Sequence, residues 1–197
     1  MSVNEALLAA VATAFRGLLV ERGETLATLR IAVMVAGSAP SARGNQAIPV
    51  VIPVDLDRSG DAVRQQVSVA LRGAVEQVRS DGSSAASATT AGAALLRLRP
   101  VALRYRHYLR RQRRFHTLVS TLRGPSTPSV VGGHAVARII PISTGELGNT
   151  TLQILALSSA DELLVTVTAD RRHGGDLERL AARLRRELAE VDPSAPG

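Results

Sequence analysis

The chain has 197 residues, of which 45% are apolar, 21% charged and 2% aromatic. This length and apolar content suffice for a domain with its own core, which excludes a disordered chain, a fibre or a disulfide scaffold. Cysteine is absent, so disulfides, thiolate metal sites and cysteine nucleophiles are also excluded. All 24 basic residues are arginine, which excludes a Schiff-base lysine and is typical of a GC-rich, actinobacterial genome.

The net charge of +7 comes from one stretch of the sequence. No Asp or Glu occurs between Asp81 and Glu146, and this stretch holds ten arginines. The other 14 arginines are outnumbered by the 17 carboxylates. The charge therefore indicates one basic region and not a basic surface throughout.

The first half of the chain predicts two helices and two strands in alternation. Asn4 is the predicted N-cap of the first helix, and Pro49 and Pro53 favour an edge position or a bulge for the second strand. Apolar periodicity predicts helix, strand, strand and helix in that order, over residues 4–22, 29–36, 47–54 and 59–79.

The second half predicts a helix from Pro100, four strands and a final helix. The low-complexity segment 81–94 predicts a mobile loop, and residues 193–197 a disordered tail. The four strands are predicted at 116–122, 135–142, 150–157 and 163–169, and the last helix at 176–190. This order predicts an α/β layered sandwich with a mixed sheet flanked by helices, one domain over residues 1–192.

No targeting segment is predicted. The first residues carry no basic region, and no run approaches about 18 consecutive apolar residues. We therefore expect a cytoplasmic chain, with peripheral contact to a membrane or lipid droplet left open.

Five segments in order resemble one family. Residues 3–11 (VNEALLAAV) resemble its VNDVxLAAV helix, residues 29–40 its LRxxVPVSxR strand, and Gly44-Asn45 its GN loop. Residues 115–125 (FHTLVSTLRGP) resemble its NVVVSNVPGP segment, and residues 140–142 with 152–170 its closing hairpin. The family is the bacterial wax ester synthase/diacylglycerol acyltransferases, and the likeness is to their C-terminal half.

This resemblance implies one lobe of the CoA-dependent, chloramphenicol acetyltransferase-like fold, which condensation domains share. Members of the family transfer an acyl group from CoA to diacylglycerol or a fatty alcohol, and the products are triacylglycerol or wax esters. The general base is a His of the HHxxxDG motif in the N-terminal lobe. No two of the four His residues are adjacent here. The nearest imitation is His173-Gly-Gly-Asp176, where we interpret Asp176 as an N-cap. We therefore predict no catalytic residue in this chain.

The resemblance also carries over positions at the substrate channel or lobe interface: Asn4, Glu5, Gly44, Asn45, Ser120, Gly124 and Pro125. Glu5 replaces the family's Asp, and Gln153 and Ser159 replace its Asn and Tyr. Apolar and glycine positions are kept while polar ones differ, which favours a retained scaffold over a retained active site.

Residues 101–115 predict a strongly amphipathic basic helix. Its apolar stripe includes Tyr105, Tyr108 and Phe115, and Leu103 is misplaced among the arginines Arg104, Arg106, Arg110, Arg111, Arg113 and Arg114. The stripe is interpreted first as core-facing with a solvated arginine face. A peripheral membrane helix and a site for an acidic partner or CoA phosphates are alternatives, and no nucleic-acid motif accompanies the charge.

The sequence thus predicts a stand-alone C-terminal lobe that is non-catalytic alone or a subunit of a split acyltransferase. Its partner would be a separate N-terminal lobe or a second copy, and acyl-CoA would be a co-substrate only in that pair. No tightly bound cofactor or metal site is expected. The alternative is a non-enzymatic lipid- or membrane-associated module, or a gene remnant. A neighbouring reading frame encoding HHxxxDG would distinguish them.

Overall fold

The computed structural model describes residues 1–36, 47–80, 97–110, 114–125, 127, 129–143, 152–159 and 162–190. Its helices are α1 (Val3–Glu21), α2 (Asp61–Ser80), α3 (Arg99–Arg110) and α4 (Gly174–Ala189), the last preceded by a 3-10 turn at Arg171–His173. Its strands are β1 (Thr28–Ala36), β2 (Ala47–Asp55), β3 (Thr117–Arg123), β4 (Val130–Val131), β5 (His134–Ala135), β6 (Leu152–Ser159) and β7 (Glu162–Ala169).

The main sheet is mixed, with strand order β2-β1-β3-β6-β7. The central strands β1, β3 and β6 are parallel, and β2 and β7 pair antiparallel at the two edges. Pro49 and Pro53 lie in β2, where an edge tolerates residues that cannot donate a backbone hydrogen bond. The predicted mixed sheet with flanking helices is therefore confirmed, and so is the edge position of β2. Strands β4 and β5 form a separate two-stranded hairpin.

The core lies between one face of the sheet and the helices α1, α2 and α4. Side chains of alternate strand residues point into it, as the period of two requires. From the sheet they include Leu29, Ile31, Val33, Ile52, Val54, Val119, Leu152, Ile154 and Ala156. The helices contribute Leu7, Leu8, Val11, Leu18, Val63, Val67, Leu71, Leu180 and Leu184.

Helix α1 is the most buried helix of this layer. Residues 6–12 are buried without interruption, because α1 packs against α2 on one side and α4 on the other. By length and composition α1 could cross a membrane, the one such helix in the described ranges. More than half of it is buried inside the protein, so its apolar character is that of a core helix.

The N-terminus of α1 differs from the prediction. The N-cap is Ser2 and not Asn4, because Ser2 Oγ accepts a hydrogen bond from the Glu5 backbone N–H. Glu5 Oε2 in turn accepts from the Ser2 backbone N–H at 2.7 Å, which completes a capping box. The S-x-x-E spacing in the sequence carried this signal, and the prediction of Asn4 was wrong.

The predicted strand at 135–142 was also wrong beyond β5. Residues 136–143, which we name the strap, form no regular strand and are joined to β6 and β7 largely through side chains. Thr166 Oγ1 donates to the Pro141 carbonyl at 2.6 Å, and Ser143 donates to Gln153 Oε1. Pro141 has no N–H, so an apolar run that reads as a strand in sequence cannot form a full ladder here.

Two helix ends need correction. The basic helix was predicted to run to Phe115, but Arg114 and Phe115 are not helical; the described helix α3 is Arg99–Arg110, and residues 111–113, with Arg111 and Arg113, lie outside the described residues. Asp176 is not the N-cap of α4; that position is His173, and Asp176 lies in the first turn. The predicted mobile loop at 81–94 and the tail at 193–197 lie outside the described residues.

His116 makes the contact between β1 and β3 dependent on pH. Its Nδ1 accepts a hydrogen bond from the Arg30 backbone N–H at 2.9 Å, which requires the neutral ring. Burial, with a smaller contribution from the Arg30 charge, lowers the pKa of His116 below its ordinary value of 6.5.

Because the pKa is lower in the folded than in the unfolded chain, the stability from this group is complete above about pH 6.5 and is lost as pH falls towards the folded pKa. We expect the unfolding free energy, measured by urea titration, to fall between pH 7.5 and 5.5. It should fall less in His116→Asn, which keeps an acceptor without the charge change. Equal losses in the two proteins would contradict this assignment.

Candidate functional site

The topology brings the described family positions to one end of the molecule. Arg16 in α1 approaches the Arg58 carbonyl, just beyond the end of β2 that pairs with Thr28. The N-terminus of α1, with Asn4 and Glu5, therefore points towards the opposite end of β1. Since β1 and β3 are parallel, the carboxyl end of β3 lies at that same end of the sheet. Gly44 and Asn45 lie outside the described residues.

Glu5 is held in a structural role. Besides the capping box, its Oε1 accepts a hydrogen bond from Ser68 Oγ on α2 at 2.6 Å. The Ser68 hydroxyl also accepts from Arg72 Nη2 at 2.8 Å. The bond from Ser68 and then that from the Ser2 backbone lower the pKa of Glu5 below its ordinary value. A carboxylate with a lowered pKa, whose two oxygens both accept hydrogen bonds, is a poor general base. The role of Glu5 is therefore structural: it joins α1 to α2.

Gly124, which directly follows β3, lies close to the backbone of β6. Gly124 N donates to the Ser158 carbonyl at 2.7 Å, and a Cβ at Gly124 would lie 3.1 Å from that same oxygen. The close approach of the two backbones therefore excludes a side chain without some displacement. Ser120 is half-buried and Pro125 is exposed.

The sheet face opposite the three core helices, which we name the open face, is mostly apolar. Register assigns to it alternate residues of each strand: Ala32, Met34, Val51, Leu118, Ser120, Leu122, Gln153, Leu155, Leu157, Leu164, Thr166 and Thr168. Leu122 is 44% exposed near the carboxyl end. Alternation of apolar residues over 118–122 is a sequence signal for this face, but Leu122 was not among the predicted site residues.

The strap crosses the open face over β6 and β7. Within the strap, Pro141 is buried against the sheet, whereas Ile140 and Ile142 are 59% and 73% exposed and extend the apolar surface outward. Arg138 fixes one end through an ion pair with Glu162 at 3.3 Å. Sequence reasoning missed this arrangement because an extended apolar segment looks the same whether it pairs as a strand or crosses a sheet face.

Among the described residues, no ion pair joins a His to a carboxylate on this surface. His116 lies at the amino end of β3, away from Ser120, and its Nδ1 is occupied by the Arg30 N–H. His173 and Asp176, whose side chains are 3.8 Å apart, lie at the N-terminus of α4. Asp176 also forms an ion pair with Arg22 at 2.9 Å. Among the residues that the structure describes, no three His, Asp or Glu side chains are grouped as metal ligands. The open face offers an apolar wall.

Comparison with known proteins agrees with this geometry. The family model of the WS/DGAT C-terminal domain matches residues 43–192. The wax ester synthase/diacylglycerol acyltransferase from Marinobacter aquaeolei VT8 is similar in structure, with a TM-score of 0.61 and 21% identity over 96% of this chain and 42% of that one. Curated protein sequences give no significant match.

Condensation domains share the fold. The first condensation domain of the calcium-dependent antibiotic synthetase matches with a TM-score of 0.53 and 21% identity, over 97% of this chain and 40% of that one. A condensation domain of the enacyloxin polyketide synthase matches with a TM-score of 0.56 and 14% identity, over 100% and 38%. The chain thus spans about two fifths of the length of these proteins, and their low identity shows the fold alone.

The Gly124 contact predicts that replacing a glycine by alanine changes the unfolding free energy in opposite directions at Gly124 and at Gly73. Gly124→Ala should lower the unfolding free energy by about 1 kcal/mol, because the Ser158 carbonyl cannot move away without weakening its own hydrogen bond. Gly73→Ala, in an open position on α2, should raise it by about 0.5–1 kcal/mol through helix propensity. Urea denaturation of both variants measures the difference, and equal effects would refute the steric argument.

The Glu5 contact predicts a cost that depends on pH. Ser68→Ala should lower the unfolding free energy by about 1 kcal/mol at pH 7, a modest value because the group is partly exposed. The Glu5 pKa is lowered on folding, so its stabilisation is complete above about pH 4.5 and is lost as pH falls through the folded pKa. The difference between native and variant chains in chemical denaturation should therefore shrink under acid. A constant difference would show that Glu5 ionisation is not involved.

Proposed function

The chain belongs to the family of WS/DGAT C-terminal domains, and on that premise we propose that it is the C-terminal lobe of a CoA-dependent O-acyltransferase. The reaction joins an acyl group from acyl-CoA to the hydroxyl of diacylglycerol or a fatty alcohol. In this proposal the chain is catalytic only together with an N-terminal lobe that carries HHxxxDG, because no His pair occurs in its 197 residues.

The open face is the observation that supports this role most. One side of the sheet has a helix-covered core, while the other presents aliphatic side chains and the strap. An apolar wall of this kind suits a long acyl chain, for which each buried methylene contributes about 0.8 kcal/mol. The chain provides binding surface, and the other lobe provides the base.

The carboxyl end of β3 is where the two lobes would meet at the reacting groups. Gly124 and Pro125 directly follow this end, towards which the N-terminus of α1 points, and Ser120 lies in the middle of β3. The match to about two fifths of the Marinobacter enzyme leaves room for a second lobe of comparable size. Stable interfaces of this class bury roughly 1,200–2,000 Å², and Leu122 with the exposed isoleucines of the strap would be part of that area.

Reconstitution tests this proposal. The purified chain alone should give no acyl transfer from radiolabelled acyl-CoA to diacylglycerol or hexadecanol. Co-expression with an HHxxxDG-bearing N-terminal lobe from the same genome should restore product, measured by thin-layer chromatography. Turnover by the chain alone would overturn the division of labour. Complex formation without any turnover would favour the non-enzymatic lipid-binding alternative.

A surface variant sharpens the assignment of the open face. Leu122→Asp should reduce turnover by the reconstituted pair at least tenfold, because a charge on an apolar contact surface costs several kcal/mol unless it is paired. Val69→Asp on α2 is the matched control, since Val69 is also an exposed aliphatic residue but lies on the helical side. Equal loss in both variants would remove the open face from the mechanism.

A further inference from the structure

Helix α3 exposes apolar side chains. Leu98, just before it, is 55% exposed, and Leu103 and Tyr105 are 56% and 45% exposed. Val101 and Ala102 are half-buried, and none of the α3 side chains that the structure describes is fully buried. Over this range the stripe is therefore not the core face that the sequence first suggested.

The outward side of α3 combines charge with one large apolar residue. Arg99, Leu103 and His107 follow one another at i, i+4 spacing and form one exposed row, so that Leu103 is flanked by polar side chains on its own face. Leu103 is the residue that did not fit the amphipathic pattern. Leu103 is more than half exposed between two polar residues of this row, so its side chain is available for an external apolar contact.

Three arginines in and just before α3 form no ion pair within the part of the chain that the structure describes. Arg97, Arg99 and Arg104 are exposed, and none of them has an ion pair with a described carboxylate, whereas Arg22, Arg58, Arg64, Arg138 and Arg183 each do. The sequence supplies no Asp or Glu from residue 82 to 145. The positive potential of α3 is therefore available to an anionic surface.

We propose that α3 binds the surface of an anionic phospholipid layer. Arg97, Arg99 and Arg104 contact lipid phosphates, and Leu103 enters the boundary between headgroups and acyl chains, as amphipathic interfacial helices do. This inference stands on charge and exposure and does not depend on the proposed acyl transfer.

Vesicle flotation of the full chain tests the proposal. The chain should float with vesicles of phosphatidylcholine and phosphatidylglycerol and not with phosphatidylcholine alone. Arg99→Glu combined with Arg104→Glu should weaken binding by at least about tenfold, since each basic residue near an anionic surface contributes substantially. The control is Arg179→Glu with Arg185→Glu, which makes the same charge change on exposed positions of α4.

A second pair of variants separates a lipid from a nucleic acid. Leu103→Ser leaves the charge unchanged and should weaken vesicle binding about three- to tenfold, since lipid affinity includes apolar insertion. Val69→Ser on α2 is its control, and circular dichroism verifies that each variant is folded. The proposal is overturned by failure to bind anionic vesicles, by equal loss in the α4 control, or by binding that Leu103→Ser does not change. That last result would indicate a purely electrostatic partner such as a nucleic acid.

Discussion

The burial of α1 against the sheet is the interaction on which the rest of the structure depends. Residues 6–12 are buried in succession, which requires neighbours on several sides: the core face of the sheet, α2 and α4. Truncating a large side chain here, such as Leu8, costs about 2–5 kcal/mol. Glu5 and Ser68 fix the N-terminal end of this arrangement and an Arg183–Glu21 ion pair fixes the other. Helices α1, α2 and α4 all pack on one face of the sheet, and the strap lies on the opposite face.

That asymmetry separates the stable part of the protein from the part available for function. The helix-covered face contains nearly all fully buried large side chains, and among the described residues no buried side-chain polar atom lacks a partner. On the other face, Thr166 and Gln153 are bonded to the strap, and the exposed groups include the aliphatic side chains of Val51 and Leu122. A surface with satisfied polar groups and exposed aliphatic ones favours contact with apolar matter over chemistry of its own.

Much of the fold was predictable from residues, because its elements are long and periodic. The strands at 28–36 and 117–123, the helices at 61–80 and 174–189, and the edge position of β2 follow from apolar runs and prolines that act locally. The predictions were wrong where one local sequence pattern is compatible with two different structures. Asn4 and Ser2 are both good capping residues, and only the reciprocal Glu5 contact selects Ser2. The strap has the apolar content of a strand, yet Pro141 and the side-chain bonds of Thr166 place it across the sheet.

The sequence by itself determined the family, the mixed α/β architecture and the absence of HHxxxDG, since each is written in ordered local motifs. It also located the basic stretch, because charge can be counted without coordinates. Tertiary structure alone decided which face of the sheet is open, that Glu5 is engaged by Ser68, and that Leu103 and Tyr105 are exposed. These depend on contacts between residues far apart in the chain, and no local periodicity records which of two apolar faces finds a partner.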